Sequence, residues 1–232
     1  MNTVEFIKHE LTGWGKYERV IFPMILIFII CLSFWTGDNK VALISAICGI
    51  SYTILAGKGK ISCYMIGLLG TFCYSYISYK NAFWGNLALY ILYCMPMQIV
   101  GILKWKNHLK KETHSIYKTR LSKKEFFIYF SIAFALITVL YCILLKMNDS
   151  NPLIDSMTSI FSILGLLLTV KRCIEQWYVW FVVNALSAVM WTIAYINGSN
   201  CLATVLMWVT YLFAGIYFMY QWNKELKENV NY

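Results

Sequence analysis

Trp177, Trp180, Asn184, Ser187, Trp191 and Tyr195 share one face of a helix that carries no charge across residues 177–195. At 100° per residue they fall within an arc of roughly 80°, so three indoles, a phenol and a carboxamide converge on one line. Such a line can stack a flat molecule and hydrogen-bond its edge. A stripe facing lipid favours Leu, Ile and Val, with Trp kept to the helix ends; here the aromatics run through the segment. An Asn in hydrocarbon also requires a partner.

Two further stretches repeat this logic. Asn200, Thr204, Met207, Tyr211, Gly215 and Trp222 share a face, and so do Asn86, Tyr90, Tyr93, Met97 and Gly101, with Gln98 close by. Pro96 removes a backbone donor in mid-span and kinks the helix, leaving carbonyls near Gln98 in need of partners. Gln98 and Asn184 can each donate and accept, and so can match a ring amide or a ribose hydroxyl. Other roles stay open for these residue types. A membrane Asn or Gln can bridge helices for packing. Trp177 and Trp222 sit where belt tryptophans anchor the interface. Gly49, Gly67, Gly70, Gly165 and Gly215 read as close helix approaches.

The elements that must position these groups are membrane helices. The 232-residue chain is 59% hydrophobic, 17% aromatic and 13% charged, with a mean hydropathy of +0.59, far above a soluble domain. Apolar runs at 20–36, 41–56, 61–79, 83–103, 126–145, 153–170, 176–196 and 200–222 each approach the ~20 residues a span needs. The expectation is an all-α protein of eight transmembrane helices: an N-terminal segment 1–19, one transport domain 20–222, and a tail 223–232. Residues 1–19 are polar and mixed in charge, so the first helix is expected to stay in the mature chain.

The net charge of +9 is not a nucleic-acid footprint, because the basic residues sit at membrane borders in alternate connections: Lys58 and Lys60, residues 104–124, Lys171 and Arg172, Lys224 and Lys227. The intervening connections are short and hold at most one basic residue. By the positive-inside rule both termini and the long loop are cytoplasmic, and the loop makes a lipid-facing patch. The 8 Cys are scattered without a CxxC and read as small apolar residues. His9, His108 and His114 lie in polar segments, so neither a metal nor a cofactor is expected.

Shifted by 114 residues, Asn86 falls on Asn200, Tyr90 on Thr204, Tyr93 on Met207, Met97 on Tyr211 and Gly101 on Gly215. The fourth and eighth helices then match, each leaving the membrane with a Trp ahead of a Lys. The second and sixth match at about 113, ending at Lys58 and Lys171. The plan is a parallel 3+1+3 repeat with an added N-terminal helix: a first repeat 41–105, a linker helix 126–145 and a second repeat 153–222. Parallel repeats place a substrate near midplane at their interface and alternate access by rocking. No Asp, Glu, Lys or Arg lies deep in a span, with Asp155 the nearest exception, so no proton relay or ion pair is available to drive transport. No P-loop is present either. Facilitated diffusion is the mode that remains, with a cation held on aromatic faces. A membrane enzyme would require a base, nucleophile or metal cluster. A receptor that binds without moving its ligand would share the same stripe.

Trp177, Trp180 and Asn184 set as WxxWxxxN, Ser187 and Trp191 beyond them, Gln98 and Gly101 as QxxG ahead of Trp105, and Gly215 with Trp222 resemble the PnuC family of bacterial vitamin transporters, over residues 40 to 224. The resemblance implies a SWEET-like fold, a homotrimer in the inner membrane, and energy-independent uptake of nicotinamide riboside that a cytoplasmic kinase traps by phosphorylation. It implies that Trp177, Trp180, Asn184 and Gln98 recognise substrate. With them the stripes offer Trp191, Tyr211 and Tyr90 for stacking and Asn200 and Asn86 for hydrogen bonding. Relatives take thiamine or riboflavin. Thiamine also carries a cationic ring, so the stripe alone does not separate the two.

Overall fold

A computed structural model describes residues 13–106, 108 and 116–230. His9, His114 and most of the basic loop's tip lie outside the described residues, as do the first twelve residues and the last two. Eight helices run among the described residues: α1 Glu18–Thr36, α2 Lys40–Gly57, α3 Cys63–Lys80, α4 Trp84–Lys106, α5 Lys123–Lys146, α6 Pro152–Val170, α7 Gln176–Ile196 and α8 Leu202–Val230. Their ends obey local chemistry. Asn39 caps α2 by accepting from the Val41 amide at 2.8 Å, Ser122 and Glu125 close a reciprocal capping box on α5, and Pro152 opens α6, where its missing N–H costs nothing. Gly37 ends α1 with φ 67°, a left-handed value that glycine adopts without strain.

Seven of the eight are both long and apolar enough to cross a membrane; α3 is not among them. Its 18 residues have the length, but Thr71, Tyr74, Ser75 and Ser78 make it polar, and those four are buried inside the bundle. A helix shielded from lipid by its neighbours need not be apolar throughout. The polar residues 223–230, expected to leave the membrane as a tail, continue α8 as helix. Glu and Lys are good helix formers, and Glu225 is held by Lys118.

The packing obeys a two-fold exchange. Within each half, α2 packs on α3 and α3 on α4, as α6 packs on α7 and α7 on α8. Between halves, the first helix of each repeat meets the last of the other, α2 with α8 and α6 with α4. The two helices outside the repeats also correspond, α1 lying on α2 and α8, and α5 on α6 and α4. Each supplies a glutamate near its start to the basic turn of its repeat: Glu18 to Lys58 at 2.6 Å, and Glu125 to Lys171 at 4.0 Å. Lys171 also donates to the Tyr129 hydroxyl at 2.5 Å, which holds its pKa above the ordinary lysine value. The expected parallel 3+1+3 plan with an added helix is what the chain adopts.

Candidate functional site

The middle helices α3 and α7 do not pack backbone to backbone. They face each other across a cavity that admits the centre of a water-sized sphere over about 110 Å³. Six of the residues expected to bind substrate line it: Gln98, Tyr90, Trp177, Trp180, Asn184 and Tyr211. The other three lie elsewhere. Trp191 is fully buried and donates its indole N–H to the Tyr74 hydroxyl at 2.7 Å, edge-on to Phe83. Asn86 is tied to the Asp155 carboxylate. Asn200 is exposed in the α7–α8 turn, its carbonyl accepting from the Asn39 amide at 3.4 Å.

Local structure explains which residues converge. Tyr90–Cys94 forms a π-helical turn just before Pro96. The wider turn carries about one extra residue and so rotates the rest of α4 by roughly 100° relative to a continuous α-helix. Tyr90, Cys94 and Gln98 therefore line the cavity together. Tyr93 and Met97 turn away, the Tyr93 hydroxyl donating to the Ile163 carbonyl at 3.0 Å and Met97 packing on the small cluster of Leu89, Cys94 and Leu166. On α7 the cavity covers only the half nearer the basic turns, so the face splits. Trp177, Trp180 and Asn184 line it; Trp191 closes its far side, and Tyr195 is 41% exposed.

Glycines make the room. A Cβ on Gly49 would lie 1.8 Å from the Tyr211 hydroxyl oxygen, and one on Gly67 would lie 2.7 Å from both Gln98 Oε1 and the Tyr52 ring. One on Gly165 would meet the Trp180 indole at 3.0 Å. Gly70 alone of these is chiefly a helix approach, against Cys48. The glycines read as helix contacts thus seat the ring and amide groups of the site.

The polar groups are half-satisfied. Gln98 donates through Nε2 to the Thr71 hydroxyl at 2.6 Å, which orients the amide and leaves Oε1 buried without a partner. Trp180 donates to Thr169 Oγ1 at 3.1 Å, and Thr169 donates in turn to the Gly165 carbonyl at 2.8 Å. Trp177 stacks on Phe218 with centroids 5.6 Å apart, its indole nitrogen unpartnered, as are Tyr52 Oη and Gln176 Nε2. An orphaned buried polar atom costs about 1–3 kcal/mol, and these all border one cavity. Among the described residues, none that lines the cavity is charged. Thr71, Tyr74, Tyr52 and Gln176 line the cavity without having been expected to; the one signal for the first three is the hydroxyl content of the second and third helices.

Both ends of the seam between the halves are bonded. At the end carrying the basic turns, Trp222 donates to the Gly57 carbonyl at 2.8 Å and Trp105 to the Thr169 carbonyl at 3.3 Å, one bond from each repeat to the other. The belt role open to Trp222 gives way to this seam. At the opposite end Asp38 accepts from the Ala203 amide at 2.6 Å, while Asp149 and Asp155 accept from Trp84 and Gly85 at 3.2 and 2.9 Å. Each half thus caps the N-terminus of the other's last helix with carboxylates.

The model of the family described as nicotinamide mononucleotide transporter matches residues 39–224. The chain belongs to this family. It is 31% identical to the nicotinamide riboside transporter PnuC of Neisseria mucosa over 96% of this chain and 87% of that one. It is 28% identical to the protein of that name from Haemophilus influenzae over 95% and 96%. The crystal structure of the vitamin B3 transporter PnuC superposes with a TM-score of 0.87 at 29% identity, covering 98% of this chain and 99% of that one. Like those relatives, this family member is a multi-pass membrane transporter.

Proposed function

We propose that the protein carries nicotinamide riboside across the membrane by facilitated diffusion. The observation that supports this most is the cavity between α3 and α7, aromatic and uncharged yet bordered by unpartnered amide and indole groups. The pyridinium ring stacks among Trp180, Tyr211 and Trp177, where a desolvated cation–π contact contributes about 2 kcal/mol. Gln98 Oε1 and the Asn184 amide meet the carboxamide and ribose. Rocking the halves breaks the Trp105 and Trp222 bonds at one end or the carboxylate caps at the other, so substrate is exposed to one side at a time. The relatives are named for the riboside and the family for the mononucleotide. The uncharged lining favours the former, since a phosphate there finds no Arg or Lys.

Net uptake then requires the riboside to be consumed on arrival, which a cytoplasmic riboside kinase does by phosphorylation. The setting we infer is a homotrimer in the bacterial inner membrane, with both termini and the basic turns on the cytoplasmic side. Thiamine, or a vitamin such as riboflavin, is the second reading: the aromatic lining suits thiamine's cationic ring and can stack riboflavin's neutral, planar one. Calorimetric titration of the purified protein with the four ligands separates these. Nicotinamide riboside is expected to bind at least tenfold more tightly than thiamine, riboflavin or the mononucleotide. Tighter binding of thiamine or riboflavin transfers the assignment to that vitamin, and tighter binding of the mononucleotide removes the argument from charge.

A further inference from the structure

A second cavity lies between α1 and the seam of α2 with α8, admitting the centre of a water-sized sphere over about 490 Å³. Its walls include Ile25, Phe28, Ile50, Leu206, Phe213 and Ala214. It opens sideways, for Phe28 is 60% and Phe213 67% exposed on helices that cross the bilayer. The one charged side chain in the lining among the described residues, Glu18, is engaged by Lys58 at 2.6 Å and the Tyr217 hydroxyl at 2.7 Å. At this same end Lys16 and Arg19 are exposed beside Tyr17. Two residues, Thr53 and Tyr211, line this cavity and the transport cavity alike.

These observations combine to specify an occupant. A groove within the hydrocarbon layer gains nothing from excluding water, and its walls lose dispersion contacts wherever it is left unfilled. Whatever fills it must be apolar along its length and, at the end where Lys16 and Arg19 stand, anionic. We propose that the groove seats one phospholipid with an anionic headgroup, an acyl chain lying along α1 and the phosphate at Lys16 and Arg19. The chain backs the wall formed by Tyr211, whose hydroxyl fits the space left by Gly49 on the substrate side. An occupied groove holds that ring in the transport cavity; an empty one lets it swing outward.

Native mass spectrometry of the purified full-length protein, titrated with phosphatidylglycerol or phosphatidylcholine, reads the seat directly. One phosphatidylglycerol per chain is expected to be retained, at least fivefold more strongly than phosphatidylcholine. Ala214→Phe, which fills the groove with its own ring, should release it, with Val209→Phe as the substitute where that variant fails to purify. Lys16→Gln with Arg19→Gln should equalise the two lipids. Equal retention by the groove-filling variant overturns the proposal. So does the absence of a headgroup preference, or a change in oligomeric mass without loss of lipid, which would mean that a second copy fills the groove. The link to Tyr211 rests on the riboside reading and has its own measurement. Riboside affinity should fall severalfold on delipidation and recover with phosphatidylglycerol in the wild type, and should not respond to lipid in Ala214→Phe. No riboside binding under any condition counts against the transport reading, while the lipid count still decides the seat.

Discussion

Replacing Trp180 by Ala is expected to weaken nicotinamide riboside binding about a hundredfold, or about 2.7 kcal/mol. The indole borders the cavity and lies flat on Gly165, with its nitrogen fixed by Thr169. Its ring is therefore held before the ligand arrives, and little affinity is spent on ordering it. Truncation removes a desolvated cation–π face worth about 2 kcal/mol and the apolar contact around it. Thr169 keeps its bond to the Gly165 carbonyl, so no new orphan forms there. Trp180→Phe keeps a ring and should lose about tenfold. Calorimetric titration checks both, and an Ala variant that binds as wild type would remove Trp180 from the site.

Asn184→Ala should weaken the same binding by more than tenfold. Asn184 is 3% exposed and lines the cavity, and its Nδ2 lies 3.8 Å from where a Cβ on Gly215 would stand, an ordinary van der Waals distance. An amide that both donates and accepts leaves two ligand groups unpaired when lost, at about 1–3 kcal/mol. Ser187→Ala is the matched control, one turn further along α7, equally buried and outside the cavity lining. It should change affinity by less than about twofold. Equal losses in the two variants would mean that α7 packing, not recognition, sets the effect.

The helices are legible in the sequence because hydrocarbon thickness imposes a length and charge marks the borders, and both are written in composition. The repeat is legible for a related reason. Trp105 and Trp222 stand at equivalent helix ends, and each donates to the carbonyl at the end of the other repeat's first helix. Side chains within a span are harder to place. Helical phase assigns a residue to a face but says nothing of how far along the helix the cavity extends, which is why phase groups Trp191 with Trp180 although Trp191 seals the far side with Tyr74 and Phe83. The same arithmetic draws in Asn86 and Asn200, and both stand at the short-loop end, where Asn86 serves the carboxylate of Asp155 and Asn200 the start of α2. Gln98 lines the cavity although it stands beside a stripe it does not share, because the π turn at Tyr90–Cys94 corrects the phase in a way no periodicity shows. The contributions of α2 and α3 depend on tertiary packing. Nothing local distinguishes Tyr52 or Thr71 from a residue that bridges helices.

On the proposed reading, an uncharged aromatic cavity moves a planar cationic vitamin downhill without an ion partner. Counterflow in proteoliposomes tests it most directly, with unlabelled nicotinamide riboside inside, a trace of labelled riboside outside and no ion gradient. Transient entry of label is predicted, unaffected by protonophore or by exchanging sodium for potassium. Absence of entry from protein that binds the riboside, or accumulation that requires an imposed ion gradient, would rule out facilitated diffusion.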